Sequence, residues 1–169
     1  MSVTRSQARY IRKQRVFMGV AHQIAQLGTC DRAKVGAVIV RDGRCISWGY
    51  NGSAPGLPHC DENDHGWNGA TTFKHNLGED PLVILRSEAE GCRNATHAEA
   101  NALAFAARQG ISTEGGTMYL TVSPCAICSR LIIAAGIERG YFTTEYRDLE
   151  GIDLLEVAGV KWGVVLPGD

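Results

Sequence analysis

Two short segments constrain this chain more than any other feature: His97-Ala98-Glu99 and Ser123-Pro124-Cys125-Ala126-Ile127-Cys128. Each opens a stretch with helical character, and the strand-like run 117–122 lies between them. Bringing two helix starts to one point on either side of a strand requires a sheet with the helices packed on it. The rest of the chain reads the same way. Apolar positions Ile11, Val16, Met18, Val20, Ile24 and Leu27 predict an N-terminal helix ending near Gly28. A buried-type strand is expected over 35–40, a turn at Asp42-Gly43 and a second strand over 45–50. Residues 51–93 read as a long irregular insertion, rich in Gly, Pro, Asn and Asp, with one short apolar run over 82–85. Order returns with a helix over 97–109, a strand over 117–122 and a helix over 125–135. A strand over 139–144, a helix over 149–158 and a last strand over 160–166 complete the chain. Gly110 and Gly136 suit the two middle helix ends. The opening hairpin followed by βαβ alternation predicts a mixed sheet.

Whole-chain properties narrow the functional classes. A length of 169 residues fits one domain. A net charge of −1 gives no general attraction for a nucleic-acid polymer, although a local basic pocket for one phosphate remains compatible with it. No uninterrupted apolar run is long enough for a bilayer, and residues 1–15 are basic and polar, unlike a signal peptide. A cytoplasmic location and no membrane partner are expected. In a reducing compartment the six cysteines are better read as metal ligands or buried thiols than as disulfides.

Cys125 and Cys128 stand three apart at a helix start, so both can face one point. A helix N-terminus favours thiolates, the form that binds metal. His97 completes a set of three zinc ligands, leaving the fourth position open for water, whose pKa zinc lowers. Glu99 lies two residues beyond His97. In a helix interior the two side chains would diverge, but in the first turn both can project towards one cavity. A carboxylate there can take a proton from water and return it to a ring nitrogen and a leaving amine.

The pattern His-x-Glu followed by Pro-Cys-x-x-Cys is that of zinc-dependent nucleobase deaminases. Further segments resemble the deoxycytidylate deaminase branch of the cytidine deaminase superfamily. They are residues 34–40 (Lys-Val-Gly-Ala-Val-Ile-Val), 49–53 (Gly-Tyr-Asn-Gly-Ser), 59–62 (His-Cys-Asp-Glu), 97–102 (His-Ala-Glu-Ala-Asn-Ala) and 121–125 (Thr-Val-Ser-Pro-Cys). The resemblance spans about residues 30–165. It implies a three-layer αβα sandwich around a central mixed five-stranded sheet. It implies zinc on His97, Cys125 and Cys128, proton transfer by Glu99, and hydrolytic deamination of dCMP to dUMP, which feeds dTMP synthesis. It also implies that Asn51 contacts the deoxyribose and its neighbouring phosphate, and that Tyr146 packs near the nucleotide. Arg32 and Arg147 become candidates for the 5′-phosphate, and Ala98 and Ser123 for the substrate site. A planar guanidinium and an aromatic ring suit a phosphate and a base or sugar face. Relatives of this kind are commonly homohexamers regulated by dCTP and dTTP with magnesium. The loop 52–58 would then border the regulatory site, and Arg108 could lie at a subunit contact.

A second, structural zinc is also implied, on Cys30, Cys60, Cys92 and His65, with His59 as the rival fourth ligand. An independent reason for it is that a long polar insertion needs a fixed point. Cys45 alternates within its strand and is expected in the core, and His22 is expected to be structural. The rival activities are deamination of dCTP, or of both nucleotides, and editing of a base in tRNA or single-stranded DNA. The polymer-editing reading requires a basic groove with stacking aromatics, which neutral charge and the Gly-Tyr-Asn-Gly segment disfavour.

Overall fold

The computed structural model describes residues 4–30, 33–57, 59 and 95–167. Helix α1 spans Arg5–Ala25, starting earlier than the apolar pattern indicates. A capping box explains the early start: the Thr4 hydroxyl accepts from Gln7 N at 3.2 Å, and Gln7 Oε1 accepts from Thr4 N at 2.9 Å. Strands β1 (Gly36–Arg41) and β2 (Arg44–Tyr50) follow as an antiparallel hairpin. The short strands β3 (Gly52–Ser53) and β4 (Ala95–Thr96) pair with each other, so the two ends of the long insertion are held side by side. Most of the insertion lies outside the described residues.

Helix α2 (Ala98–Arg108), strand β5 (Thr117–Val122), helix α3 (Ala126–Ala134) and strand β6 (Arg139–Thr144) come next. Helix α4 (Glu150–Val157) and strand β7 (Lys161–Val164) close the fold. Gly110 and Gly136 end α2 and α3 with φ of 67° and 70°, a region that suits a residue without Cβ.

The order β2-β1-β5-β6-β7 makes one mixed five-stranded sheet. β1 is antiparallel to β2 and β5, whereas β5, β6 and β7 run parallel. Strand alternation sends side chains to two layers. Val38, Val40 and Tyr119 pack with Met18 and Ala21 of α1. Ala37, Ile39, Met118, Leu120 and Phe142 pack with Ala98, Ala102, Ile132 and Leu155 of α2, α3 and α4. The result is an αβα sandwich with α1 on one face and the other three helices opposite. Its topology brings the ends of β2, β5 and β6, the start of β1 and the starts of α2 and α3 to one edge, where α/β folds bind ligands.

Cys45 departs from the core position expected of it: it is exposed. The β1–β2 register shifts between Ile39 and Val40, opposite Ser47 and Cys45, so the strand's alternation is interrupted there. His22 is structural as expected, its Nε2 lying 2.9 Å from the Thr143 hydroxyl. Among the described residues no helix is long and apolar enough to cross a membrane.

Candidate active site

Residues from both helix starts meet at this edge. His97 is the N-cap of α2 and Cys125 the N-cap of α3, each with extended backbone angles. Cys128 follows in the first turn of α3, buried. The donor atoms of His97, Cys125 and Cys128 all lie within 4.8 Å of one another. His97 Nδ1 is 3.6 Å from Cys125 Sγ and 3.5 Å from Cys128 Sγ. Tetrahedral zinc, with bonds of about 2.3 Å to sulfur and about 2.0–2.1 Å to nitrogen, requires N···S separations of roughly 3.5 Å. Both nitrogen–sulfur separations therefore match two edges of a zinc tetrahedron, and a His-Cys-Cys donor set fits a zinc site with one position left open.

The two thiols differ. The hydrogen bond from Cys128, followed by that from His97, pulls Cys125 down to about 3, so its thiolate forms readily. Cys128 is held up, first by acting as donor to Cys125 and then by burial. Two helix N-termini stabilise the negative charge that metal binding requires.

Glu99 lies in the first turn of α2 and is only 4% exposed. Burial raises its pKa, against the lowering influence of its own backbone amide and of His97. A carboxyl group in such surroundings can hold a proton that an exposed glutamate would release. His97 and Glu99 project into the same cavity despite their spacing, as expected of a first turn.

The cavity has a volume of about 300 Å³. Beyond the metal donors and Glu99, its walls include Asn51, Ala98, Ser123, Tyr146 and Arg147. Asn51 is 7% exposed and its amide is engaged with the backbone. It donates to Ala33 O at 2.7 Å and accepts from Val35 N at 2.8 Å. Ser123 Oγ accepts from Tyr146 N at 2.7 Å, which fixes the segment carrying Tyr146 and Arg147. The Arg147 guanidinium lies 5.3 Å from the centre of the Tyr146 ring. The structure thus collects ten of the residues singled out from sequence: His97, Cys125, Cys128, Glu99, Asn51, Ala98, Ser123, Tyr146, Arg147 and Cys30. Arg32, Cys60, His65 and Cys92 lie outside the described residues. Cys30 is buried and also lines the cavity, alongside Ala33 and Val35, which sequence reasoning did not single out. Those two positions carry no chemical signal of their own and are brought there by the start of β1.

The arrangement defines a hydrolytic zinc deaminase built on an αβα sandwich. The chain belongs to the cytidine and deoxycytidylate deaminase family, whose zinc-binding region matches residues 11–144. A deoxycytidylate deaminase of Enterobacteria phage T2 is 35% identical over 170 residues, covering 88% of this chain and 90% of that protein. The crystal structure of a dCMP deaminase from cyanophage S-TIM5, in complex with dCMP and dUMP, is similar with a TM-score of 0.70 and 30% identity. That match covers 89% of this chain and 94% of the cyanophage chain.

Proposed function

We propose that this protein is a zinc-dependent deoxycytidylate deaminase that converts dCMP and water to dUMP and ammonia. The observation that carries the reading is the placement of buried Glu99 beside a His97–Cys125–Cys128 donor set at tetrahedral spacing. When bound, zinc lowers the pKa of water towards neutrality and provides the attacking hydroxide. Glu99 takes the proton released from water and delivers one to the ring nitrogen N3 as the C4–O bond forms. It then takes the remaining proton from the new C4 hydroxyl and passes it to the exocyclic amine, which leaves as ammonia as the C4–N bond breaks and the C4 carbonyl forms. The raised pKa of Glu99 suits a group that must hold and release a proton in one cycle.

Within the same reading, Asn51, Ala98 and Ser123 face the sugar and base, and Tyr146 packs near the nucleotide. Arg147, with Arg32, receives the 5′-phosphate, since a planar guanidinium matches phosphate oxygens in geometry and charge. The whole chain acts as one catalytic domain. A second zinc on Cys30, Cys60, Cys92 and a histidine would tie the long insertion down. His65 is the fourth ligand in this reading, with His59, whose Nδ1 is 3.1 Å from the Thr29 hydroxyl, as its rival. Regulation by dCTP and dTTP with magnesium, a homohexameric assembly and a cytoplasmic setting belong to this reading as well.

The test is a panel of cytidine, deoxycytidine, dCMP and dCTP assayed for ammonia release, with and without added dCTP and magnesium. Greatest kcat/KM on dCMP is expected. Equal efficiency on deoxycytidine would remove phosphate recognition, and greater efficiency on dCTP would move the enzyme to triphosphates. Metal analysis should find two zinc ions per chain, falling to one in Cys60→Ser. One zinc per chain, unchanged in that variant, would remove the second site.

A further inference from the structure

We propose that Asn101 is a positioning residue that locks the catalytic helix to the Asn51 wall of the cavity. This inference rests on the reading of the cavity as a nucleotide site. Asn101 stands on α2, two residues beyond Glu99, and belongs to neither the metal set nor the proton-transfer group. Its Nδ2 donates to Tyr50 O at 2.7 Å, across to the end of β2.

So short a side chain reaches that carbonyl because helix and strand approach backbone to backbone. A Cβ added to Gly49 would lie 2.5 Å from both Ala98 O and Ala102 N, closer than such atoms come. Beside it, Ser47 Oγ donates to Ala102 O at 2.6 Å. Ser47, Gly49 and Asn101 therefore form one seam between β2 and the helix that presents His97 and Glu99.

The carbonyl that Asn101 holds belongs to the Tyr50–Asn51 peptide. From Asn51 the bonding continues into the opposite wall. Asn51 N donates to Val35 O at 3.1 Å, and Asn51 O accepts from Thr29 N at 3.3 Å. Its side chain holds Ala33 O and Val35 N. A continuous hydrogen-bonded frame thus runs from α2 through Asn101 and Asn51 to the cavity-lining residues Ala33 and Val35. Loss of the Asn101 bond leaves Glu99 and the metal donors in place but frees the wall that meets the sugar. Sub-ångström errors in such placement change rates and binding by large factors.

The experiment uses the full-length, zinc-loaded protein and Asn101→Leu, which matches the side chain in size and removes the donor. Zinc content and thermal midpoint should stay near the parent values. KM for dCMP should rise about tenfold or more with kcat changed less than about threefold, and Asn101→Gln should recover part of the loss. Amide exchange at Val35 and Asn51 should quicken by about tenfold or more, while the β5–β6 ladder is unaffected. Unchanged exchange at those amides, or a fall in kcat with KM constant, would overturn the proposal. If Asn101→Leu does not fold, Asn101→Asp, equally short and lacking the donor, is read by the same measurements. A parent protein inactive on dCMP would count against the proposed function, whereas the exchange readout would still decide the role of Asn101.

Discussion

The two faces of the central sheet do different work. Towards α1, Met18, Ala21 and Val38 are fully buried, and Tyr119 stacks on Tyr141 with ring centres 5.4 Å apart. This face is closed by large side chains and by hydroxyl contacts, from Tyr119 to Gln14 and between Tyr10 and Tyr141. The opposite face buries large side chains as well, among them Ile39, Met118, Leu120, Ile132 and Leu155, but α2 itself meets the sheet through small residues: Ala98, Ala102 and Ala106 are fully buried. There the helix lies close enough for backbone and short side chains to touch the strand. Bulky packing supplies apolar burial, whereas a backbone-to-backbone seam also fixes the helix position directly. The fold uses the first to hold the sandwich together and the second to aim its chemistry. Changes in the α2–β2 seam should alter catalysis more than stability, and changes in the packing of α1 should do the reverse.

The largest effect is expected from Glu99→Gln. Activity should fall by up to about 10⁴-fold, since proton transfer by a positioned group contributes on that scale. Zinc content should persist, because Glu99 is not a ligand. A zinc-replete variant with near-parental turnover would remove Glu99 from the mechanism and erase the contrast between the faces. Met18→Ala probes the other face. Truncating a fully buried methionine should cost roughly 2–5 kcal/mol in denaturant unfolding. Turnover per folded molecule should hold steady, and a large drop in kcat would show that α1 packing also reaches the site.

Ser123→Ala should have a smaller effect. It removes the acceptor for Tyr146 N and leaves that part-buried donor unmatched. A loss of about 1–3 kcal/mol in substrate binding, read as a higher KM, is expected from one such bond. An unchanged KM would mean that other contacts hold the segment carrying Tyr146 and Arg147.

How much of this could be read from the residues alone depends on range. Strands 117–122 and 139–144 were legible to the residue, because each is rich in β-branched and aromatic residues and flanked by turn or helix-start signals. The gathering of the His97, Cys125 and Cys128 donors was legible as well, since the spacing of their motifs suits the first turns of two helices. The start of α1 was not, because a capping box rather than an apolar stripe begins it. Cys45 was misplaced because a register shift interrupts the alternation on which its placement relied. The Asn101 bond carried no signal. It joins residues 51 positions apart, and only the approach of α2 to β2 reveals it.

The smallest expected effect lies on the α1 face and is driven by pH. Tyr141 is pushed up to about 12, first by burial and then by its hydrogen bond and charge interaction with Tyr10, against a lowering influence from Arg139. Tyr119 is raised further still, chiefly by burial. A tyrosine in the unfolded chain titrates near ~10, so folding favours the neutral phenol at both positions. With folded values above unfolded ones, this contribution to stability is complete below about pH 10 and is lost as pH rises through the folded values. Phenolate formation followed by ultraviolet difference absorbance should therefore show tyrosines titrating late, together with loosening of α1 in amide exchange. Tyr141→Phe should delete a late-titrating group from that curve and shift alkaline unfolding modestly upward. If the deleted group titrates like an exposed tyrosine, the hydroxyl contacts do not help close this face, and its stability rests on apolar packing around Met18 alone.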